Sequence, residues 1–182
     1  NKYDNMSELH YAVEDALAIK DLLINEYYFP EENVRVLIDE EATEDNIRKA
    51  LNQIIKYAQQ GDRVIFYFAG HGETENLAIE DGDMGFLIPV DGDLDNKYFT
   101  SIPMHDLKVV SKMVKAKHML FMVDACYGGL AAQTYRGLIN TDIPNYIEKV
   151  ANEISRQIIT AGDEDEKVIE KDDWEHSAFT KN

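Results

Sequence analysis

The sequence has one cysteine among 182 residues, so it cannot form an internal disulfide. A chain without disulfides suits a reducing compartment, and its lone thiol is either inert in the core or reactive. No apolar run approaches the roughly 18 residues of a transmembrane helix, and no basic and apolar leader pattern opens the sequence. We therefore expect a cytoplasmic chain that stays in solution and has no membrane partner.

Basic residues are also scarce, with 18 Lys and Arg against 35 Asp and Glu and a formal net charge of −17. A nucleic-acid partner would call for a clustered basic face, and the sequence shows none, so we expect no nucleic-acid partner. The charge favours cationic partners, although carboxylates that keep the surface soluble explain most of it. No GxGxxG or GxxxxGK[ST] loop follows an apolar run, which argues against a nucleotide-binding domain.

The hydrophobic pattern predicts a single domain in which helices and strands alternate. Helical spacing predicts helices over Ser7–Glu26 with Ser7 as N-cap, from Thr43 onward, over Met104–Lys115 and over Asn145–Arg156. Short apolar runs predict strands at Val34–Ile38, Arg63–Phe68, Gly85–Val90, His118–Val123 and Gln157–Ala161. This alternation implies an α/β fold with a mostly parallel sheet.

Two of the predicted strands end in residues that can carry chemistry. Arg63–Phe68 leads to His71 and Gly72, and His118–Val123 leads to Cys126. Open α/β folds place their sites at the carboxyl edge of the sheet, so the two side chains are expected to meet there. Cys126 is the candidate nucleophile and His71 its base, with the Gly72 and Cys126 amides as candidate oxyanion donors. The alternative is a core cysteine and a structural histidine, which either residue alone would favour.

The residues around these strand ends resemble a known family. Phe68-Ala-Gly-His71-Gly72 and Val123-Asp-Ala-Cys126-Tyr-Gly-Gly129 are similar to the two active-site blocks of the caspase-like cysteine peptidases, and the His-to-Cys separation of 55 residues is near the roughly 50 of caspases. Further similar blocks are Asn1–Ala16, Leu87–Asp91, Thr160–Gly162 and His176–Thr180. The resemblance implies a three-layer caspase-like sandwich with helices on both faces of the sheet. It also implies that residues 1–140 are large-subunit-like and that 141–182 begin a small-subunit-like portion.

Asp124, two residues before Cys126, separates branches of this family. Aspartate-specific caspases resemble Gln-Ala-Cys here, whereas metacaspases, paracaspases and bacterial orthocaspases carry Asp, and the sequence is closest to the orthocaspase and metacaspase-like branch. In those branches acidic residues of the S1 pocket hold Arg or Lys, and a carboxylate can bind guanidinium in bidentate fashion. Glu166 and Asp163 are candidates for a second acidic S1 position, with a solvated acidic turn as the alternative.

The resemblance thus implies a cysteine endopeptidase that cleaves after Arg or Lys through a Cys126/His71 dyad and a thioester acyl-enzyme. Its substrates would be proteins or peptides with a basic P1 residue. Self-processing is a further expectation, with Arg136 and Lys149 as candidate sites. The competing interpretation is a catalytically silent caspase-like scaffold or sensor module, against which the intact His/Cys pair argues.

The sequence departs from the family pattern at both ends. The family's first strand, which would lie between the strands at Val34 and Arg63, precedes the block that here begins with Asn1, and the family continues through a helix and a strand after Thr180. We therefore expect a piece of a longer or processed protein, and a regulatory domain or partner protein to accompany it.

Aspartates at 81, 83, 91, 93 and 95 raise the question of a calcium site. The paired aspartates that metacaspases carry before the third helix are replaced by Ile102-Pro103-Met104, and the Asp-Gly-Asp spacing lacks the terminal Glu of an EF-hand loop. Solvated turns explain the aspartates, so we expect no metal and no cofactor.

Overall fold

The computed structural model describes residues 1–76, 83–125, 154–161, 170–171 and 176–181. The helices are α1 (Ala12–Asn25), α2 (Glu44–Tyr57), α3 (Lys97–Thr100), α4 (Met104–Met113) and α5 (Ala178–Lys181). The strands are β1 (Arg63–Gly70), β2 (Gly72–Asn76), β3 (Asp83–Leu87), β4 (Ile102–Pro103), β5 (His118–Ala125), β6 (Ser155–Thr160), β7 (Glu170–Lys171) and β8 (His176–Ser177). No helix within these ranges is long and apolar enough to cross a membrane.

A parallel sheet in the order β1-β5-β6 forms the centre of the fold. β1 and β5 pair in parallel over their whole length, from Arg63 opposite His118 to Gly70 opposite Ala125. β6 pairs in parallel with the other edge of β5. The near-continuous apolar character of β1 and β5 is typical of strands covered on both faces, and the predicted parallel α/β sheet is confirmed.

Helices lie on both faces of this sheet. On one face, α2 and α4 pack against side chains that alternate along β1 and β5, and the rings of Phe66 and Phe121 lie 5.8 Å apart there. Val123 and Leu107 in this layer are 0% and 1% exposed. The opposite face carries Tyr67 and is packed by α1. Packing of these alternating side chains against α2 and α4 fixes the register, since a slip by one residue would turn the set to the opposite face of the sheet.

The starts of the first two helices show how local and distant contacts differ. Thr43 caps α2 as predicted, with its side-chain oxygen accepting the backbone N–H of Asn46 at 3.3 Å. The predicted N-cap Ser7 is wrong, because α1 begins at Ala12. Asn1 instead supplies the acceptor, since its side-chain oxygen takes the N–H of Val13 at 2.9 Å. Asn1, which lies 12 residues before Val13, thus supplies the hydrogen bond that an N-cap side chain would normally supply.

Val34–Ile38 is extended but does not pair with a described strand, so the strand predicted there is wrong. An open groove of about 1290 Å³ separates this segment from β1 and is lined further by α1 and α2. The β1 edge facing the groove has no strand partner among the described residues. Val34–Ile38 therefore has no strand partner in the described part of the chain, and the groove lies between the two segments that the resemblance expects to flank a further strand.

A second, antiparallel sheet in the order β2-β3-β4 begins after β1, which belongs to the central sheet. β2 and β3 pair as an antiparallel hairpin beside His71. The helix predicted over Asn145–Arg156 is wrong at its end, because Arg156 lies in β6. The guanidinium of Arg156 donates to backbone carbonyls around the end of α4, including Ser111 at 2.8 Å and Val114 at 3.1 Å, which fixes it beside the sheet.

Candidate active site

The site begins at the carboxyl edge of the central sheet, where β1 and β5 end at the same level. Gly70 and Ala125 are the last paired residues of the two strands. His71 follows Gly70 directly, and Cys126 follows Ala125 in the sequence. Adjacent parallel strands are about 4.8 Å apart, so this register starts the two segments side by side. Cys126 itself lies outside the described residues.

His71 is held by both its backbone and its ring. Its Nε2 lies 2.9 Å from the backbone oxygen of Ser7, and its carbonyl accepts the N–H of Ile88 at 3.0 Å. A carbonyl can only accept, so Nε2 carries the proton, and Nδ1 is left as the basic nitrogen. The Ser7 carbonyl therefore selects the tautomer in which His71 can accept a proton through Nδ1.

Gly72 opens β2 with a backbone amide that the hairpin does not use. It pairs with Leu87 in the antiparallel register, and the bond from Ile88 N–H to the His71 carbonyl makes this a non-hydrogen-bonded pair. The Gly72 N–H therefore points away from β3. The second candidate oxyanion donor, the Cys126 amide, lies outside the described residues.

Asp124 is buried on the face of the sheet that carries Tyr67, with 4% of the residue exposed. Its Oδ2 accepts hydrogen bonds from the hydroxyls of Ser177 and of Thr180, the latter at 3.1 Å. The Tyr67 hydroxyl lies 2.8 Å from Thr180 Oγ1 and 3.4 Å from the same carboxylate oxygen. Oδ1 of Asp124 is buried and has no hydrogen-bond partner among the described residues. Within that part of the chain, one carboxylate oxygen accepts several hydrogen bonds and the other accepts none.

The electrostatics of Asp124 follow from this environment. Burial raises the pKa of its carboxyl, and the charge of Asp15 raises it further, although the hydroxyls of Ser177 and Thr180 act in the opposite direction. Burial also raises the pKa of Tyr67 above its usual value, so that hydroxyl stays protonated. A cation that reached Oδ1 would favour the ionised form of Asp124 and supply the missing donor.

Asp15 of α1 is a second buried carboxylate, which the sequence reasoning did not single out as a site residue. It is 1% exposed and accepts the N–H of Ser177 at 3.1 Å and the Nδ1–H of His176 at 2.7 Å. Ser177 therefore connects Asp15 to Asp124. The available signal was an aspartate on the apolar face of the predicted first helix.

The two other candidate S1 residues, Glu166 and Asp163, lie outside the described residues. The same holds for the candidate processing sites Arg136 and Lys149. The structure therefore brings together His71, Gly72 and Asp124 at or beside one sheet edge, and it does not describe Cys126.

Two of the aspartates considered for calcium, Asp91 and Asp93, accept backbone hydrogen bonds. Asp91 Oδ1 accepts the backbone N–H of Glu44 at 2.9 Å, and Asp93 Oδ1 accepts that of Asp95 at 3.0 Å. In the described part of the chain, no three His, Cys, Asp or Glu side chains converge where a metal ion could be held. The expectation of no metal or cofactor stays a prediction.

Known proteins are similar to this chain over most of its length. A family model described as the caspase domain matches residues 1–182. Metacaspase-1 of Eremothecium gossypii is 31% identical over 140 residues, which are 72% of this chain and 30% of that protein. Metacaspase-7 of Arabidopsis thaliana is 30% identical over 158 residues, which are 80% of this chain and 38% of that protein. The chain thus spans roughly a third of the length of these relatives.

A solved structure shares the fold. The crystal structure of a Geobacter sulfurreducens protein superposes with a TM-score of 0.50 at 19% identity, and the match covers 80% of this chain and 50% of that one. The predicted caspase-like sandwich is consistent with this neighbour and with the parallel sheet. The family match over residues 1–182 and the paired strand ends that carry its sequence blocks show that the chain belongs to the caspase-domain family.

Proposed function

We propose that the chain carries the catalytic domain of a cysteine endopeptidase in which Cys126 is the nucleophile and His71 the base. The observation that carries the proposal is the register of the central sheet, in which Gly70 and Ala125 are opposite each other and the two candidate residues come next. The open Nδ1 of His71 supports the same assignment, because the Ser7 carbonyl holds the proton on Nε2.

The reaction follows from these roles. His71 Nδ1 takes the thiol proton, and the Cys126 sulfur attacks the carbonyl carbon of the scissile peptide bond. The oxyanion that forms accepts the Gly72 and Cys126 amides, and the Gly72 amide is not used by the hairpin. The C–N bond then breaks as His71 returns the proton to the leaving amine, leaving a thioester. His71 then takes a proton from a water molecule as that water attacks the thioester carbonyl. The C–S bond breaks, the product leaves with a new carboxyl group, and His71 returns the proton to the Cys126 sulfur.

We further propose that the substrate carries Arg or Lys at P1 and that Asp124 receives it. The buried Oδ1 of Asp124 has no donor among the residues that the structure describes, which is a costly arrangement unless a cation completes it. Asp15 adds negative charge beside Asp124 and is tied to it through Ser177. Glu166 and Asp163 stay candidates for the same pocket.

The geometry at Asp124 also refines the expected mode of binding. Oδ2 is occupied by the hydroxyls of Ser177 and Thr180. A P1 cation can therefore reach Oδ1 alone unless those hydroxyls move, so a single-oxygen contact replaces the bidentate pairing that the resemblance favoured. A lysine ammonium can make such a contact as well as a guanidinium can.

A panel of peptides that differ only at P1 tests both parts of this proposal. The protein should cleave Arg and Lys peptides and leave the Asp peptide intact, and Cys126→Ala should abolish cleavage. Cleavage of the Asp peptide at an equal or higher rate would overturn the S1 proposal. Activity that survives in Cys126→Ala would overturn the nucleophile, and a protein inactive on every peptide would favour the scaffold or sensor interpretation.

Other expectations from the sequence extend this proposal. Self-processing would cut after Arg136 or Lys149, and the product would divide a large-subunit-like from a small-subunit-like portion. Cytoplasmic location, membership of the orthocaspase branch and an accompanying regulatory domain or partner also stay predictions. Mass spectrometry of the protein after incubation tests the processing sites directly.

A further inference from the structure

Tyr3 contacts His71 at two points. Its hydroxyl accepts the His71 backbone N–H at 3.0 Å. Its ring meets the imidazole in an edge arrangement, with the ring centroids 4.6 Å apart and the planes at 63°. One side chain thus contacts both the backbone and the ring of the candidate base.

The backbone contact meets a need that the sheet leaves open. His71 lies between the last residue of β1 and the first residue of β2, and neither strand includes it. An N–H at such a junction has no ladder partner and requires another acceptor. The Tyr3 hydroxyl is that acceptor, and it fixes the backbone at the point where the chain turns from one sheet to the other.

Gly70 shows that the hydroxyl approaches unusually closely. A Cβ atom built at Gly70 would lie 2.6 Å from the Tyr3 hydroxyl oxygen and 2.8 Å from Cζ of Phe68. The close approach of Tyr3 therefore depends on a residue without a side chain one position before His71.

Tyr3 is itself held in place on both sides. The backbone nitrogens of Asn1 and Lys2 donate hydrogen bonds to Asp39 Oδ1, at 2.8 and 3.2 Å. The N–H of Asp4 donates to the Val90 carbonyl at 2.9 Å. Burial raises the pKa of Tyr3 to about 12, so its hydroxyl stays neutral while an imidazole titrates. The contact with His71 therefore persists across the working pH range of a cysteine–histidine pair.

We propose that Tyr3 is a positioning residue for His71. It holds the ring so that Nε2–H stays on the Ser7 carbonyl and Nδ1 stays open for the proton of the nucleophile. This inference rests on the proposed peptidase function, in which His71 is the base. Tyr3 does not touch the substrate in this scheme and acts through the orientation of the imidazole.

The test uses two substitutions that remove different parts of the contact. Tyr3→Phe keeps the ring and removes the hydroxyl, whereas Tyr3→Leu removes both. Tyr57, which ends α2 with 63% of its surface exposed, supplies the matched controls Tyr57→Phe and Tyr57→Leu. With an Arg peptide, we expect kcat to fall about three- to tenfold in Tyr3→Phe and further in Tyr3→Leu, with KM little changed. The Tyr57 variants should match wild type.

Two further readouts separate positioning from a general loss of stability. Nitrogen NMR of labelled histidine, assigned with His71→Gln, should show the Nε2–H tautomer in wild type and a smaller fraction of it in Tyr3→Leu. The pH range over which kcat/KM falls on the acid side should change in Tyr3→Leu and should be the same as in wild type in Tyr57→Leu. In Tyr3→Phe, which keeps the ring, the fraction of the Nε2–H tautomer of His71 should be close to that of wild type.

The outcomes distinguish this inference from the function on which it rests. A wild-type protein inactive on every peptide would overturn the proposed function, while the tautomer measurement would still report on Tyr3. An active wild type whose kcat, pH profile and His71 tautomer are unchanged in both Tyr3 variants would overturn the positioning role.

Discussion

Asp124→Asn tests how the proposed S1 pocket recognises a cation. The substitution keeps the shape of the side chain and removes its charge. The hydroxyls of Ser177 and Thr180 donate to Oδ2, so the amide oxygen should take that position and the NH₂ group should replace Oδ1. A donor would then face the incoming P1 cation at the position of Oδ1, which accepts no hydrogen bond from a described residue.

The magnitude follows from breaking a buried charge-assisted contact, which costs about 2–4 kcal/mol, or about 30- to 900-fold in kcat/KM. The assay compares peptides with Arg and with citrulline at P1, because citrulline has nearly the same shape without the charge. Wild type should strongly prefer Arg, and Asp124→Asn should lose most of that preference. Asp45→Asn, at an exposed carboxylate that pairs with Lys49, is the control and should keep it.

The ratio of kcat/KM for the Arg peptide to kcat/KM for the citrulline peptide separates loss of P1 recognition from a general disturbance of the site. A general disturbance of the site would lower both rates together and leave the ratio unchanged. If Asp124→Asn cleaves the Arg and citrulline peptides with an undiminished Arg preference, Asp124 does not hold the P1 side chain.

Three predictions concern stability. Because burial raises the pKa of Asp124 above its unfolded value of about 3.8, the folded chain binds this proton more tightly, and the free energy of unfolding should fall as pH rises through that range. Urea titrations should therefore show that the free energy of unfolding of Asp124→Asn rises relative to that of wild type as pH rises. A difference between the two free energies that stays constant with pH would contradict this. Arg156→Lys should lower the free energy of unfolding by about 2–3 kcal/mol, because Arg156 donates to the carbonyls of Ser111, Val114 and Ala116, whereas exposed Arg35→Lys should change it little. Thr43→Ala should cost about 1 kcal/mol by removing the cap of α2, and an unchanged melting temperature would refute that role.

The parts of the fold that the sequence predicted are those set by local patterns. The apolar runs that became β1 and β5 predicted the parallel pair, and Thr43 predicted the start of α2. His71 could be chosen because it follows such a run between glycines. Each of these signals lies within a few residues of the feature it predicts.

The parts that the sequence did not predict depend on distant contacts. Asn1 caps α1 from outside the helix, so Ser7 was the wrong N-cap. Asp15 is buried because it meets Ser177, which lies 162 residues away in the chain. Val34–Ile38 has the composition of a strand but no described strand beside it. No local pattern encodes such partners.

The central claim is that Cys126 and His71 act as a nucleophile and its base, and covalent labelling tests it most directly. An arginine-bearing peptide electrophile should label wild type once per chain, at Cys126 by mass spectrometry. His71→Gln should be labelled far more slowly at neutral pH, because the thiol then lacks its proton acceptor. No labelling of wild type, or labelling that is equally fast in His71→Gln, would contradict the account.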